Sequence, residues 1–278
     1  DGIDYDFEPP IDPLTGAQLP ANDRTLSDYQ KLFQLVKSSR VELGEKTYIS
    51  VTITVNKEYI SLINQSVEGG WFKEIAKYAD TINLMTYDLH GPWDKSADPY
   101  TSIHAWLMQP ESARKDEFTI HYATDEITDQ VLSYDAPENK LQIGIAAYGR
   151  GYAGVEAGED KALPGFEQPW DAASKFDSGY TNQNGLVPYK SVDNIIRDLG
   201  YKVYHIVAER EHQSVASGAY LYSPTKKQFV GYQSPQVVKA ICKYVKHKKL
   251  KGAILWSADT DLPVSNPKSL VSSYRSGC

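Results

Sequence analysis

The chain has 278 residues, with 29 Lys and Arg against 36 Asp and Glu and a net charge of -7. Its 41% hydrophobic and 23% charged residues are those of a folded globular chain and exclude wholesale disorder. No apolar run approaches the roughly 18 residues of a membrane span, and no Lys/Arg cluster could track a phosphate backbone, which argues against nucleic acid and membrane as partners.

The opening octet, DGIDYDFE, alternates with period 2: Asp4, Asp6 and Glu8 fall on one face, Ile3, Tyr5 and Phe7 on the other. That is strand periodicity. A Pro- and Gly-rich loop is expected over 9–22. Ser27 with Gln30 reads as a capping box opening a helix, in which Tyr29, Leu32, Phe33, Val36 and Leu43 recur near helical spacing before Gly44 stops it. Residues 47–55 (TYISVTITV) read as a strand, 71–78 as a helix, 81–87 as a buried strand, 124–134 as a polar helix and 141–148 as a strand. Ser234 before Pro235 reads as an N-cap with Pro at the first helical position. The helix runs to about 247, turns Val237, Val238, Ile241 and Val245 inward, and feeds a strand over 252–257. Strand–helix alternation of this kind indicates parallel βαβ units. Residues 151–230, rich in Tyr, Gly and Asn, break it, with short strand-like pieces at 201–207 and 219–223, and read as an inserted α+β subdomain. The two cysteines leave two readings: a bridge pinning the C-terminus to the Cys242 helix, or a small core residue and a free end at Cys278. The chain starts at Asp1 with neither an initiator Met nor a signal peptide, so a processed chain or a fragment is expected.

Same-face residues on a strand lie about 6.6–7 Å apart, so Asp4, Asp6 and Glu8 form a ladder of carboxyl groups. Like charges at that spacing raise at least one pKa, and a Glu that keeps its proton at neutral pH is a general acid. An exposed acidic turn is the competing reading, but the strict apolar alternation speaks against it. A calcium loop starting at Asp4 would need Gly and Glu where the chain has Pro9 and Thr15. Metalloprotease, Cys/His metal, Gly-x-Ser-x-Gly and phosphate-loop motifs are absent from the sequence. Gly149, Gly151 and Gly154 fit a dinucleotide fingerprint, yet no helix is expected directly after them.

DGIDYDFE at 1–8 resembles the DxxDxDxE signature of family 18 glycoside hydrolases, the chitinase-like (β/α)8 barrels. Three further blocks resemble the family in the same order: INLMTYDLHGPW at 82–93 its sixth strand, IGIAAYGRGY at 143–152 its seventh, and KLKGAILWSADTD at 249–261 its eighth. The resemblance implies an α/β fold, a (β/α)8 TIM barrel here lacking the first three βα units, because DxxDxDxE belongs to the fourth strand. It also implies an α+β insertion between the seventh and eighth strands. The division expected is 1–150 for barrel strands four to seven, 151–230 for the insertion, and 231–278 for the return to the barrel with its eighth strand and a final helix. Five strands cannot close a barrel, so a longer natural protein is expected upstream.

By resemblance the activity is hydrolysis of β-1,4 bonds next to N-acetylglucosamine, the sugar's own acetamido oxygen acting as nucleophile; the family is a known exception to the two-carboxylate scheme. Glu8 would be the acid/base, Asp6 would bond the acetamido N–H, and Asp4 would share a proton with Asp6. Tyr87 would bond the acetamido oxygen and Asp88 would orient substrate. Trp256 would floor the distorted sugar and Trp93 would line the leaving-group side; each also reads as an ordinary core or loop Trp. Tyr148 and Arg150 would bind sugar from the insertion side, Arg150 reading equally as a structural ion pair, and Met85 would pack beneath the site. No cofactor or metal is implied. The partner implied is chitin or chitooligosaccharides, acted on by a secreted monomer. A non-catalytic chitin-binding lectin and an endo-β-N-acetylglucosaminidase are the alternatives; the retained Glu8 speaks against the first and the insertion against the second.

Overall fold

The computed structural model describes residues 1–8, 23–95, 97–113, 123–175, 185–210 and 213–278, so the loop expected over 9–22 lies outside the described residues. Two compact units emerge, one of 1–86, 124–144 and 245–254, the other of 87–123, 145–244 and 255–278. No helix among the described residues is long and apolar enough to cross a membrane.

Along the chain the order begins β1 (Gly2–Phe7), α1 (Asp23–Leu43), β2 (Tyr48–Ile53), α2 (Lys57–Gln65), α3 (Trp71–Ile75), β3 (Thr81–Leu84), α4 (Thr124–Leu132) and β4 (Leu141–Ala146). Strands β1 to β4 pair in parallel, each with the next. The period-2 reading of β1 holds. On its apolar face Tyr5 meets Ser39 of α1 through its hydroxyl at 2.6 Å, and Phe7 sits edge-on to Tyr29 at 5.2 Å. Tyr29, Leu32, Phe33 and Val36 are buried as the helical spacing predicts.

Two expectations about α1 fail. The helix begins at Asp23, so Ser27 lies inside it rather than capping it. Leu43, the last residue of the helix, is 43% exposed and lies off the buried face. Gly44 does end the helix, at φ 73°, with its amide donating to Arg40 O at 3.0 Å. Arg40 braces this corner, its buried guanidinium donating to the carbonyls of Gly44, Thr47 and Tyr78 and to the Asp80 carboxylate. Burial opposes ionisation of Asp80, but the Ile49 amide and Arg40 outweigh it and hold the carboxyl below its usual range.

The second unit carries β5 (Tyr148–Ala153), β6 (Ala172–Ala173), β7 (Leu186–Pro188), α5 (Val192–Leu199), β8 (Lys202–Arg210), β9 (Gln213–Ser223), β10 (Gln228–Tyr232) and α6 (Pro235–His247); β11 (Gly252–Trp256) and α7 (Leu270–Gly277) follow. Among the described residues the first sheet has the order β1-β2-β3-β4-β11, an open sheet with no closed barrel. The second runs β6-β5-β10-β9-β8, with β7 also on β5, and its pairings are antiparallel. The core of this second sheet is aromatic, with Trp106, Tyr152, Tyr220, Tyr222 and Phe229 packed together, which accounts for the Tyr-rich composition. Gly149, Gly151 and Gly154 form no dinucleotide turn; the first two are strand residues of β5. A Cβ on Gly151 would lie 2.1 Å from Ser174 Oγ, so close packing explains that glycine.

Helix α6 has the bounds its sequence predicts, and Val237, Val238, Ile241 and Val245 are buried. Cys242 and Cys278 are bridged, which decides between the two readings of the cysteines. The expected helix over 71–78 is regular only to Ile75, and the strands expected over 81–87 and 141–148 stop at Leu84 and Ala146. The final helix expected within 231–278 is α7, whereas α2 and α5 were not expected; they are 9 and 8 residues long, too short for the 3.6-residue period to stand out.

Candidate active site

In the first unit the polar face of β1 continues across the sheet. Register pairs Asp4 with Ser50 and Asp6 with Thr52 on β2, and Thr52 in turn with Asn83 on β3. Strand neighbours in register point to the same side, and the side chains meet there. Ser50 Oγ and Thr52 Oγ1 both donate to the Asp4 carboxylate, Thr52 at 3.0–3.1 Å, and Asn83 Nδ2 reaches it at 3.4 Å. Asn83 also donates to Thr52 Oγ1 at 2.9 Å, so the donors are themselves fixed. Asp6 is the carboxyl whose pKa is raised, by burial and then by the Asp4 charge. Glu8 follows the last strand residue, Phe7, with its side chain exposed. Its charge reaches the buried Tyr29 phenol, whose pKa is raised by burial first, then by Tyr59 and Glu8. Met85, just past β3, is buried and its amide donates to Ile53 O at 3.1 Å.

In the second unit a separate polar cluster forms around Asp88. Arg150 on β5 grips its carboxylate with both arms of the guanidinium, Nε to Oδ1 and Nη2 to Oδ2, each at 2.7 Å. Such a fork is the strongest geometry for the pair. The Arg150 guanidinium also lies 4.9 Å from the Trp93 ring and 5.1 Å from the Tyr148 ring, a cation–π sandwich. Tyr87 packs edge-on to Tyr148 at 6.1 Å. Burial opposes ionisation of Asp88, but Arg150 and His104 hold its carboxyl far below the usual range, leaving it an anion. Burial, then Asp88, pushes the Tyr148 phenol well up, so it stays a hydroxyl. The Trp93 ring fills the space beside Gly91, where a Cβ would come within 2.2 Å of it. Trp256, at the end of β11, is 57% exposed, which removes the core reading of that ring. Of the sequence-predicted residues, Tyr87, Asp88, Trp93, Tyr148 and Arg150 thus come together, and the ion-pair reading of Arg150 is realised. Among the described residues, no group of three or more His, Cys, Asp or Glu is placed to hold a metal ion.

The family model for glycosyl hydrolases family 18 matches residues 1–261. The chain belongs to that family. It is 25% identical to a chitinase of Autographa californica nuclear polyhedrosis virus over 266 residues, covering 94% of this chain and 43% of the viral protein. Its identity to Chitinase 63 of Streptomyces plicatus is 26% over 279 residues, covering all of this chain and 38% of that protein. The chain therefore spans less than half the length of either relative. Among solved structures it resembles a mutant of the Ostrinia furnacalis Group II chitinase catalytic domain 2 in complex with penta-N-acetylchitooctaose, (NAG)5. The TM-score is 0.74 at 21% identity, over 99% of this chain and 65% of that one. This likeness establishes a TIM-barrel-type fold for the family 18 chain.

Sequence reasoning missed two groups in this part of the family 18 chain. His104 is wholly buried beside Asp88 and belongs to no motif. Asp94 closes the turn carrying Trp93: the Gly91 amide donates to Asp94 Oδ2 at 2.9 Å, and the Asp94 amide donates back to Gly91 O at 3.0 Å. Burial first, with Asp98 and Asp88 nearby, pushes the Asp94 carboxyl up to about 7, against the pull of the Gly91 amide. Unfolded, the same group ionises near 3.8, so between those values the folded chain binds more protons. Its contribution to stability is complete below the lower value and is lost as pH rises through the upper one. Asp94→Asn is expected to abolish that loss. The Tm of wild type minus that of the variant should fall between about pH 4 and about pH 8; a difference constant with pH would overturn the assignment.

Proposed function

We propose that the chain carries the catalytic machinery of a retaining chitinase, which cleaves β-1,4 bonds between N-acetylglucosamine units with the substrate's acetamido group as nucleophile. The observation that carries this reading is β1 itself: two aspartates on one strand face, one held by three donors and the other raised in pKa, with an exposed Glu8 at the strand's end. Asp4, fixed by Ser50, Thr52 and Asn83, stands beside Asp6, whose carboxyl is raised in pKa by burial and then by Asp4. Asp6 bonds the acetamido N–H and turns its oxygen toward the anomeric carbon. That oxygen forms a bond to C1 as the C1–O4 bond breaks, and Glu8 gives its proton to the departing O4. The oxazolinium ion that results is stabilised by Asp6. Water then attacks C1 from the face the leaving sugar vacated, giving its proton to Glu8 and restoring the acetamide. Two displacements on one carbon retain its configuration.

Tyr87 and Asp88 are assigned to the acetamido oxygen and to substrate orientation, Trp256 to stacking under the distorted sugar, and Trp93, Tyr148 and Arg150 to the neighbouring subsites. The exposure of Trp256 and the rigid Asp88–Arg150 fork support these roles. We read β1, β2, β3, β4 and β11 as the fourth to eighth strands of a (β/α)8 barrel, with 151–230 as the insertion. A secreted monomer acting on chitin is the form proposed. The full-length protein, given chitohexaose in deuterated buffer, should release products whose new reducing ends are β by proton NMR before mutarotation. Initial α-anomer would overturn the retaining mechanism. Release of N-glycans from a glycoprotein without chitohexaose cleavage would replace the substrate.

A further inference from the structure

We propose that His104 is a positioning residue that holds Asp88 in the backbone conformation its carboxylate needs; this rests on the reading of Asp88 as a substrate-orienting group. Asp88 has φ 56°. A residue with a Cβ is uncommon in that left-handed region and persists there only where its surroundings over-determine it. The Arg150 fork fixes the end of the side chain, but a grip on the carboxylate alone leaves the backbone able to turn beneath it.

His104 supplies the missing restraint. Its backbone oxygen accepts from the Leu89 amide at 2.9 Å, tying down the residue after Asp88. Its ring Nε2 lies 3.1 Å from Tyr148 O. A carbonyl can only accept, so Nε2 carries a proton. In the neutral ring Nδ1 is therefore the acceptor, and the Asp88 amide donates to it at 3.4 Å. The same Nδ1 lies 3.4 Å from Asp88 Oδ1, so a second ring proton would find the carboxylate instead. In either protonation state the imidazole holds Tyr148 with one nitrogen and Asp88 with the other. The Tyr148 ring, 5.0 Å away and tilted 34°, packs against it. The tautomer is thus set by a strand carbonyl, and the other ring nitrogen is aimed at Asp88, a residue held at positive φ.

The test uses the full-length protein with chitooligosaccharide as substrate. His104→Asn keeps an acceptor where Nδ1 stands and gives up the reach to Tyr148. His104→Gln keeps a donor toward Tyr148 and gives up the contact with Asp88. The expected result is kcat/KM within about threefold of wild type for His104→Asn and about tenfold lower for His104→Gln, the loss of one hydrogen bond's net worth. Equal loss in both, tracking Tm, would show a packing role only and overturn the inference. In wild type, nitrogen-15 correlation spectra should show the His104 ring protonated at Nε2, and a neutral ring protonated at Nδ1 would overturn it without any variant. Asp88→Asn separates the two levels. If it leaves kcat/KM unchanged, the role given to Asp88 falls and this inference with it. If it slows hydrolysis while His104→Gln does not, this inference alone falls.

Discussion

Glu8→Gln is expected to lower the kcat of chitooligosaccharide hydrolysis by about 10²- to 10⁴-fold, the range general acid–base catalysis contributes, while KM changes little. Gln matches Glu in size and still accepts hydrogen bonds, so substrate binding survives. What it lacks is a proton to give to the departing O4 and a carboxylate to take one from water. The side chain is exposed at the end of β1, so the substitution leaves no cavity. Folding stability should be within about 0.5 kcal/mol of wild type. Asp6→Asn should also be slow, for a different reason: the amide can still bond the acetamido group, but its charge cannot change to match the cationic intermediate. Steady-state rates on chitotetraose, with binding measured by calorimetry, check both. Equal rates for wild type and Glu8→Gln would leave a carbohydrate-binding protein on an enzyme's fold.

Cys278→Ser is expected to cost about 4 kcal/mol of stability and to lower Tm by about 10 °C. The bridge closes a sequence separation of 36 residues, and loop-closure entropy of the unfolded chain scales with the logarithm of that length. It ties α6, whose Cys242 is fully buried, to the exposed end of α7. Without it α7 keeps its N-terminal anchor, the buried Asp261 carboxylate, which accepts from the Leu270 and Val271 amides and from Ser269 Oγ. The helix should therefore stay docked at its start and fray at its end. Cys278→Ser is the informative variant because it breaks the bridge without removing volume from the core, as Cys242→Ala would. Wild type with reductant should unfold where the variant does without it. If scanning calorimetry places oxidised wild type and variant at the same Tm, the bridge contributes no stability.

Features set by a strict or well-extended local pattern were legible in the sequence, whereas the 8- and 9-residue helices α5 and α2 were not. The alternation of DGIDYDFE yields a strand with Asp4 and Asp6 on one side and Glu8 just past its end, because side-chain direction along a strand depends only on parity. Likewise Ser234–Pro235 opens α6, and the 3.6-residue repeat names its buried face. The family motifs, read in order, point to barrel-type architecture and to Tyr87, Asp88, Trp93, Tyr148, Arg150 and Trp256. What they do not carry is which groups meet. Ser50 and Thr52 lie in a strand recognised at once, yet nothing local says that they face Asp4; the register of β1 on β2 decides it, and a slip of one residue would turn them away. Arg150 reads as a sugar ligand or an ion pair until the fold brings it to Asp88, 62 residues away. His104 has no signature, because its importance comes from the Tyr148 carbonyl and the Asp88 amide on either side of it. The sequence by itself determined most of the elements, the acid-bearing face and the motif residues of the site, since these follow from covalent order and short-range periodicity. Only the tertiary structure decided the partners that hold each acid, the pairing of the cysteines and which carboxyls are shifted in pKa, because burial and contact between residues distant in the chain exist only once the strands have taken their register.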